Sequence, residues 1–185
     1  PKTAQAEFDG LVQKAVFNKY TYKNLALKGN IEKGSFVLNS GMKDPNLHFD
    51  LTASGNTEEK YPSIQLKLNL DIADLEKLNL HAGPLKIRGN VYADITSSDP
   101  AFLNGRIDIH NVLVADAKET YALDSIKIAA ISTAESDTIT LKSQFIDASL
   151  SGKFQIDQVP TALTNSIAKY YDTNPKGKKQ ATKPQ

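Results

Sequence analysis

The sequence has no cysteine and no tryptophan, and it holds a single methionine. No run of about 18 apolar residues occurs, which is the length a membrane-spanning helix needs. Without cysteine, disulfide frameworks, thiolate zinc sites and cysteine nucleophiles are excluded. The N-terminus also lacks a charged-then-apolar export signal. The chain begins at Pro1 without a methionine, so it is expected to be a piece of something longer, with any anchor or leader elsewhere. Charge of one sign is missing too: 22 Lys and Arg face 21 Asp and Glu. Residues 174–185 hold Lys176, Lys178, Lys179 and Lys183 and no acid, which leaves 18 basic and 21 acidic residues in the body, a net of −3. A mildly acidic body with a short basic tail argues against a nucleic-acid-binding module, so no nucleic-acid partner is expected.

What the sequence does have is alternation. In Ser63–Ile72 the residues Ile64, Leu66, Leu68, Leu70 and Ile72 are large and apolar, and every residue between them is polar. Successive strand side chains point to opposite faces, so this is one β-strand with an oily side and a wet side. Leu47, Phe49, Leu51 and Ala53 repeat the pattern, as do Leu85, Ile87, Gly89, Val91, Ala93 and Ile95. Further strands are expected at 20–29, 34–40, 103–110, 111–115 (one strand or two with the preceding), 121–132, 138–147 and 148–157. Residues 6–17 read as a strand, with a helix as the alternative because Ala, Gln, Glu and Lys are good helix formers. Turns at Asp44-Pro45 and Asp99-Pro100 separate strands. Two places change period. Residues 73–80 suit a short helical turn, and Val159-Pro160 opens a short helix reaching Tyr170 or Tyr171. The Pro-, Gly- and Lys-rich residues 174–185 read as a linker.

Strands joined by short turns, with no strand–helix alternation, indicate an all-β antiparallel meander of about eleven strands. At about 4.8 Å per strand these would stack to roughly 50 Å. The two halves, 6–82 and 83–173, echo each other in layout: an Asp-Pro turn, a run of strands, then a short amphipathic segment.

No catalytic constellation is visible. His48, His81 and His110 have no metal-ligand spacing, and His48 and His110 fall on polar strand positions. Glu58-Glu59 sit in a polar loop. Asp71, Asp94 and Asp108 occupy outward strand positions without an activating neighbour. No phosphate-binding glycine loop and no GxSxG motif occur. Asp124 and Asp137 lack the spaced acidic loop that calcium requires. No enzyme activity, metal or cofactor is therefore expected.

What remains is apolar surface. One face per strand collects Leu25 and Leu27; Phe36 and Leu38; Leu47, Phe49 and Leu51; Ile64, Leu66, Leu68 and Leu70; Leu85, Ile87 and Val91; Ile107 and Ile109; Ile126 and Ile128; Ile139, Leu141 and Phe145; and Leu150, Phe154 and Ile156. Leaving these in water would cost tens of kcal/mol at about 25 cal/mol per Å², against a net domain stability of roughly 5–15 kcal/mol. Two coverings are open: a dry core closed as a sandwich or barrel, or a curled sheet whose lining is covered by something bound, such as lipid chains. Aliphatic walls without Trp suit acyl chains, which need no directional contacts. The aromatic platforms usual in sugar sites are missing.

Certain strings carry a family resemblance: Asn24-Leu-Ala-Leu-Lys-Gly29, Gly34-Ser-Phe36, Asp44-Pro-Asn-Leu47, the alternating 66–75, Tyr121-Ala-Leu-Asp-Ser-Ile126 and Ser149-Leu-Ser-Gly-Lys-Phe154. Together, over about residues 6–172, they resemble the TamB-like proteins of the AsmA-like superfamily in the form found in Bacteroidetes-type bacteria. The resemblance implies a middle segment of an inner-membrane-anchored protein that crosses the periplasm as a curled β-sheet with a hydrophobic groove (a β-taco). It implies phospholipid as cargo, further repeats of the same chain as neighbours, and a BamA-like barrel as partner through other segments. It brings no catalytic residues, so only the lining above is carried over as lipid-binding.

Overall fold

A computed structural model describes residues 5–58, 60–159, 161, 164 and 165. Ten strands follow one another: β1 (Gln5–Phe17), β2 (Tyr20–Glu32), β3 (Ser35–Asp44), β4 (Leu47–Asn56), β5 (Ser63–Asp74), β6 (Leu85–Asp99), β7 (Phe102–Asp116), β8 (Thr120–Ser132), β9 (Asp137–Ser143) and β10 (Asp147–Gly152). Each pairs antiparallel with the strand before and the strand after it, in one sheet of order β1 to β10. The sheet does not close, and β1 and β10 are its free edges. The expected fold class holds: all-β, an open, curled antiparallel sheet with a hydrophobic side. The chain divides after Lys153, with the ten strands in the first unit. Phe154 onward forms the second, and its described residues include a 3-10 turn at Ile156–Gln158. The two echoing halves are not separate bodies, because β5 and β6 pair from Ile64–Ile95 to Asp74–Lys86 across the boundary.

Several expectations are corrected. Ten strands replace about eleven, because residues 102–116 form one strand. Asn111, at φ 55°, sits inside it as an irregularity rather than a break. The helical segment expected over 73–80 shrinks to one turn, closed by the Leu78 N–H on the Asp74 carbonyl at 3.0 Å. Ala73 and Asp74 stay in the ladder opposite Leu47, Ile87 and Lys86, so too few residues remain for a longer helix. The Asp74 carboxylate accepts the Lys77 N–H at 3.2 Å, and Asn79 at φ 59° ends the turn. Asn is one of the few residues that take up this left-handed conformation readily. The helix expected from Val159 to Tyr171 lies outside the described residues apart from Val159, Thr161, Thr164 and Asn165.

One end of the sheet is its best-packed region. Turns at 18–19, 45–46, 75–84, 117–119 and 144–146 gather there, since a meander returns every second connection to the same end. Met42, Asp44, Ala73, Asp74 and Leu78 are buried at this end, and Leu78, at 1% exposure, is the most deeply buried large side chain. The side chains of Asn18 and Asn79 each donate to the other's backbone carbonyl, joining the β1–β2 turn to the β5–β6 loop. In between, the Asp44 carboxylate accepts the Tyr20 hydroxyl, the Lys23 N–H at 3.1 Å and the Asn46 N–H at 2.9 Å. Burial, and then the bond to Asp44, push the Tyr20 phenol above its ordinary value, so it remains a donor at neutral pH.

These differences in packing set the expected stabilities. Leu78→Ala should cost about 2–5 kcal/mol, as for a fully enclosed leucine. Leu66→Ala, on the half-covered face, should cost clearly less, about 1 kcal/mol. Urea denaturation of the two variants checks this, and equal losses would contradict an open apolar face.

Candidate functional site

Residues directly opposite each other in an antiparallel ladder project to the same face, so the register assigns each side chain to a side. The row through Leu68 runs Gly10, Leu27, Ser40, Leu51, Leu68, Val91, Ile109, Ile126 and Ser143. The row through Leu66 runs Phe8, Gly29, Leu38, Ala53, Leu66, Ala93, Ile107, Ile128, Leu141 and Ala148. A third passes through Ile31, Phe36, Gly55, Ile64, Ile95, Gly105, Ala130, Ile139 and Leu150. Toward the well-packed end, Leu25, Met42, Phe49 and Leu70 form a fourth, and Leu47, Ala73 and Ile87 a fifth, with Leu85 two positions further along β6. No charged side chain stands in the three central rows.

Every member of the expected lining that lies on a strand is therefore on one face. Phe145 is not: β9 ends at Ser143, and Phe145 sits in the β9–β10 turn, 74% exposed. The turn forms because the Ser143 hydroxyl accepts the N–H groups of Phe145 and Ile146. Phe154 and Ile156 lie beyond β10, in the second unit. Ile72 also leaves the apolar face. A bulge places Asp71 and Ile72 together against one residue of each neighbour, which turns Ile72 to the polar side and puts Ala73 in its place. There His48 Nδ1 lies 3.3 Å from Asp71.

Residues the sequence reading passed over also line this face: Phe8, Ile31, Met42, Ile95 and Val112, with the small Ala53, Ala93, Ala130 and Ala148 between them. Ile95, Ala53 and Ala93 follow alternation already visible in the sequence. Met42 carried no such signal, because the Asp-Pro turn beside it masks its place in β3. Two glycines in these rows are covered by aromatic rings. A side chain at Gly55 would clash first with the Ser63 carbonyl and then meet the Phe36 ring at 2.8 Å, and one at Gly29 would meet the Val37 carbonyl at 2.5 Å and the Phe8 ring at 2.6 Å. Each phenylalanine ring packs against the neighbouring strand's glycine.

Only a few apolar side chains of the sheet are fully buried: Met42, Ala53, Ala73, Val112 and Ala130, with Leu78 from the loop. The large aliphatic side chains in the central rows are half-buried, because they touch only their cross-strand neighbours. Among the described residues of the first unit, no second sheet or helix lies over this face. The opposite face carries the charge. Lys28 meets Asp9 at 3.1 Å, Arg106 meets Asp94 at 3.9 Å and Asp108 at 4.0 Å, and Lys142 meets Asp147 at 3.9 Å. The hydrogen bond to Asp9 raises the Lys28 ammonium above its ordinary value. These exposed pairs add little stability, but they keep water on that side. The polar face also has a shallow depression of about 500 Å³ across β1–β4, bordered by Asp9, Lys28, Asn39, Thr52 and Asp50. Among the described residues, no group of three or more His, Asp or Glu side chains could hold a metal ion.

The chain matches no family model, no curated protein and no solved structure.

The ring-over-glycine pairs give a direct check on the wall. Gly55→Ala should cost about 1–3 kcal/mol through overpacking against the Ser63 carbonyl and the Phe36 ring. Gly10→Ala, with nothing within 4 Å of the new methyl, should stay within about 0.5 kcal/mol of the parent. Thermal or urea melts of the two variants provide the comparison.

Proposed function

We propose that this protein carries phospholipid acyl chains along its apolar sheet face, as one segment of a TamB-like, inner-membrane-anchored protein that conducts lipid across the periplasm toward the outer membrane. The observation that carries the reading is a continuous Leu/Ile wall across nine adjoining strands, from Leu25 to Leu150, with no protein layer over it in the first unit. Acyl chains supply the missing layer, since an aliphatic wall needs only apolar contact and excludes water without directional bonds. Headgroups stay at the wet margin. With no nucleotide-binding motif and no tight polar site on the wall, movement is diffusive. The free edges β1 and β10 suit pairing with neighbouring repeats of a longer chain, and contact with a BamA-like barrel falls to other segments.

A second reading has its own observation. β1 is a fully exposed edge of 13 residues, a length that favours pairing with an unfolded outer-membrane strand in a chaperone-like groove. A closed-core structural module would need a second apolar layer, and the described part of the first unit has none.

Native mass spectrometry of protein purified from cells separates these readings. Lipid carriage predicts co-bound phospholipid, and the chaperone reading predicts co-bound peptide. Leu68→Arg sharpens the test: it should abolish lipid binding while the circular dichroism spectrum and cooperative melt persist. Unfolding of Leu68→Arg, with no lipid on the parent protein, would point to a closed core instead.

A further inference from the structure

The two ends of the sheet differ in a way that groove lining does not explain. At the end where 18–19, 75–84, 117–119 and 144–146 turn, the exposed large apolar side chains are Val16 (75%), Phe17 (66%), Leu80 (53%), Tyr121 (51%), Phe145 (74%) and Ile146 (52%). At the opposite end, only Phe102 and Ile131 among the described exposed large apolar residues adjoin a turn, although charged residues occur in the turns of both ends: Lys33, Glu58, Lys60 and Glu135 there, Lys19, Glu76, Lys77, Lys118 and Glu119 here. Hairpin turns normally carry polar tips, because they face water.

Many backbone donors at the apolar end are bonded within the turns. In the β9–β10 turn, the N–H groups of Phe145 and Ile146 bond the Ser143 hydroxyl, and the Ser143 N–H bonds the Ile146 carbonyl at 2.7 Å. The Gln144 amide turns back onto β8, donating to the Ala122 carbonyl and accepting the Asp124 N–H. In the β7–β8 turn, Asp116 accepts the N–H groups of Lys118 and Glu119, while Glu119 accepts the Tyr121 hydroxyl. The Asn18–Asn79 pair closes the β1–β2 turn in the same way. These tips can enter an apolar medium without stranding those backbone donors, which is the main requirement on any segment placed in lipid. Exposed Lys19, Lys77 and Lys118 stand beside the apolar tips together with Glu76 and Glu119, and the lysine stems are long enough to keep their ammonium groups at the headgroup level.

We propose that this row of turns is a membrane-contact surface, and that Phe17, Leu80, Phe145 and Ile146 seat in the interfacial layer of a phospholipid bilayer with the strands standing away from it. This goes beyond the groove reading and stands without it.

The absence of tryptophan makes a clean test possible, since a single introduced Trp is the only indole signal. Phe145→Trp and, as the opposite-end control, Phe102→Trp are mixed as the full chain with phosphatidylcholine vesicles, with and without brominated tails. The expected result is a blue-shifted Phe145→Trp emission, quenched at least two-fold by brominated lipid, and an unchanged Phe102→Trp emission. No quenching at position 145, or equal quenching at both ends, overturns the proposal. So does a blue shift that grows with protein concentration in the absence of vesicles, which would identify a second copy of the chain as the occupant. Replacing Phe145 and Ile146 with Ser should lower vesicle co-sedimentation at least five-fold without changing the melting temperature, and unchanged co-sedimentation counts against it. Leu68→Arg, which disables the groove, should leave the Phe145→Trp quenching intact, so failure of the two proposals is distinguishable.

Discussion

The backbone ladder carries this protein to an unusual degree. Each inner strand has two hydrogen-bonded neighbours and, in the described part of the sheet, nothing stacked above it. In a two-layered β-protein the layers hold each other, and the ladder sets only direction. Here the ladder must also place every apolar contact, because a side chain on this face meets only the residues directly or diagonally opposite. A slip of one residue between two strands would transfer a whole row to the charged side. The structure accordingly fixes its register with local devices. Short turns between most neighbours, the bulge at Asp71–Ile72, and the Phe8 and Phe36 rings laid over Gly29 and Gly55 all serve this purpose.

The one deeply packed region follows from the same constraint. Where the β5–β6 connection lengthens, it has room to fold over the end of the sheet, and Leu78 with the Asp44 and Asn18–Asn79 networks supplies locally what a second layer would supply elsewhere. Away from that end, stability rests on cross-strand pairs of moderate strength. That is compatible with a surface meant to exchange its covering, since a fully dry interior would not admit a ligand.

Charge and apolarity are sorted along two axes. Across the sheet, ion pairs such as Arg106–Asp94 lie on one side and the Leu/Ile rows on the other. Along the strands, most of the large exposed apolar side chains beside turns gather at one end. The first sorting suits a groove for acyl chains, the second an end that meets a lipid surface.

Most of the wall was legible beforehand, because period-two alternation is a local property: each of Leu47, Phe49, Leu51, Ile64, Leu66, Leu68 and Leu70 declares its side through its immediate neighbours. The same locality explains the misses. Ile72 reads as the next oily residue, yet the bulge that turns it outward exists only because β4 and β6 pair on both sides of it. Residues 73–80 have a helical period, but the ladder claims Ala73 and Asp74 first. Phe145 reads as the end of a strand until the Ser143 hydroxyl captures its N–H and makes a turn. Sequence alone determined that the chain is β, antiparallel and one-sided, since these depend on spacing and on short connections. Tertiary structure decided where the ladder shifts register and that the sheet stays open, because those depend on how each strand meets both of its neighbours and not on spacing within it.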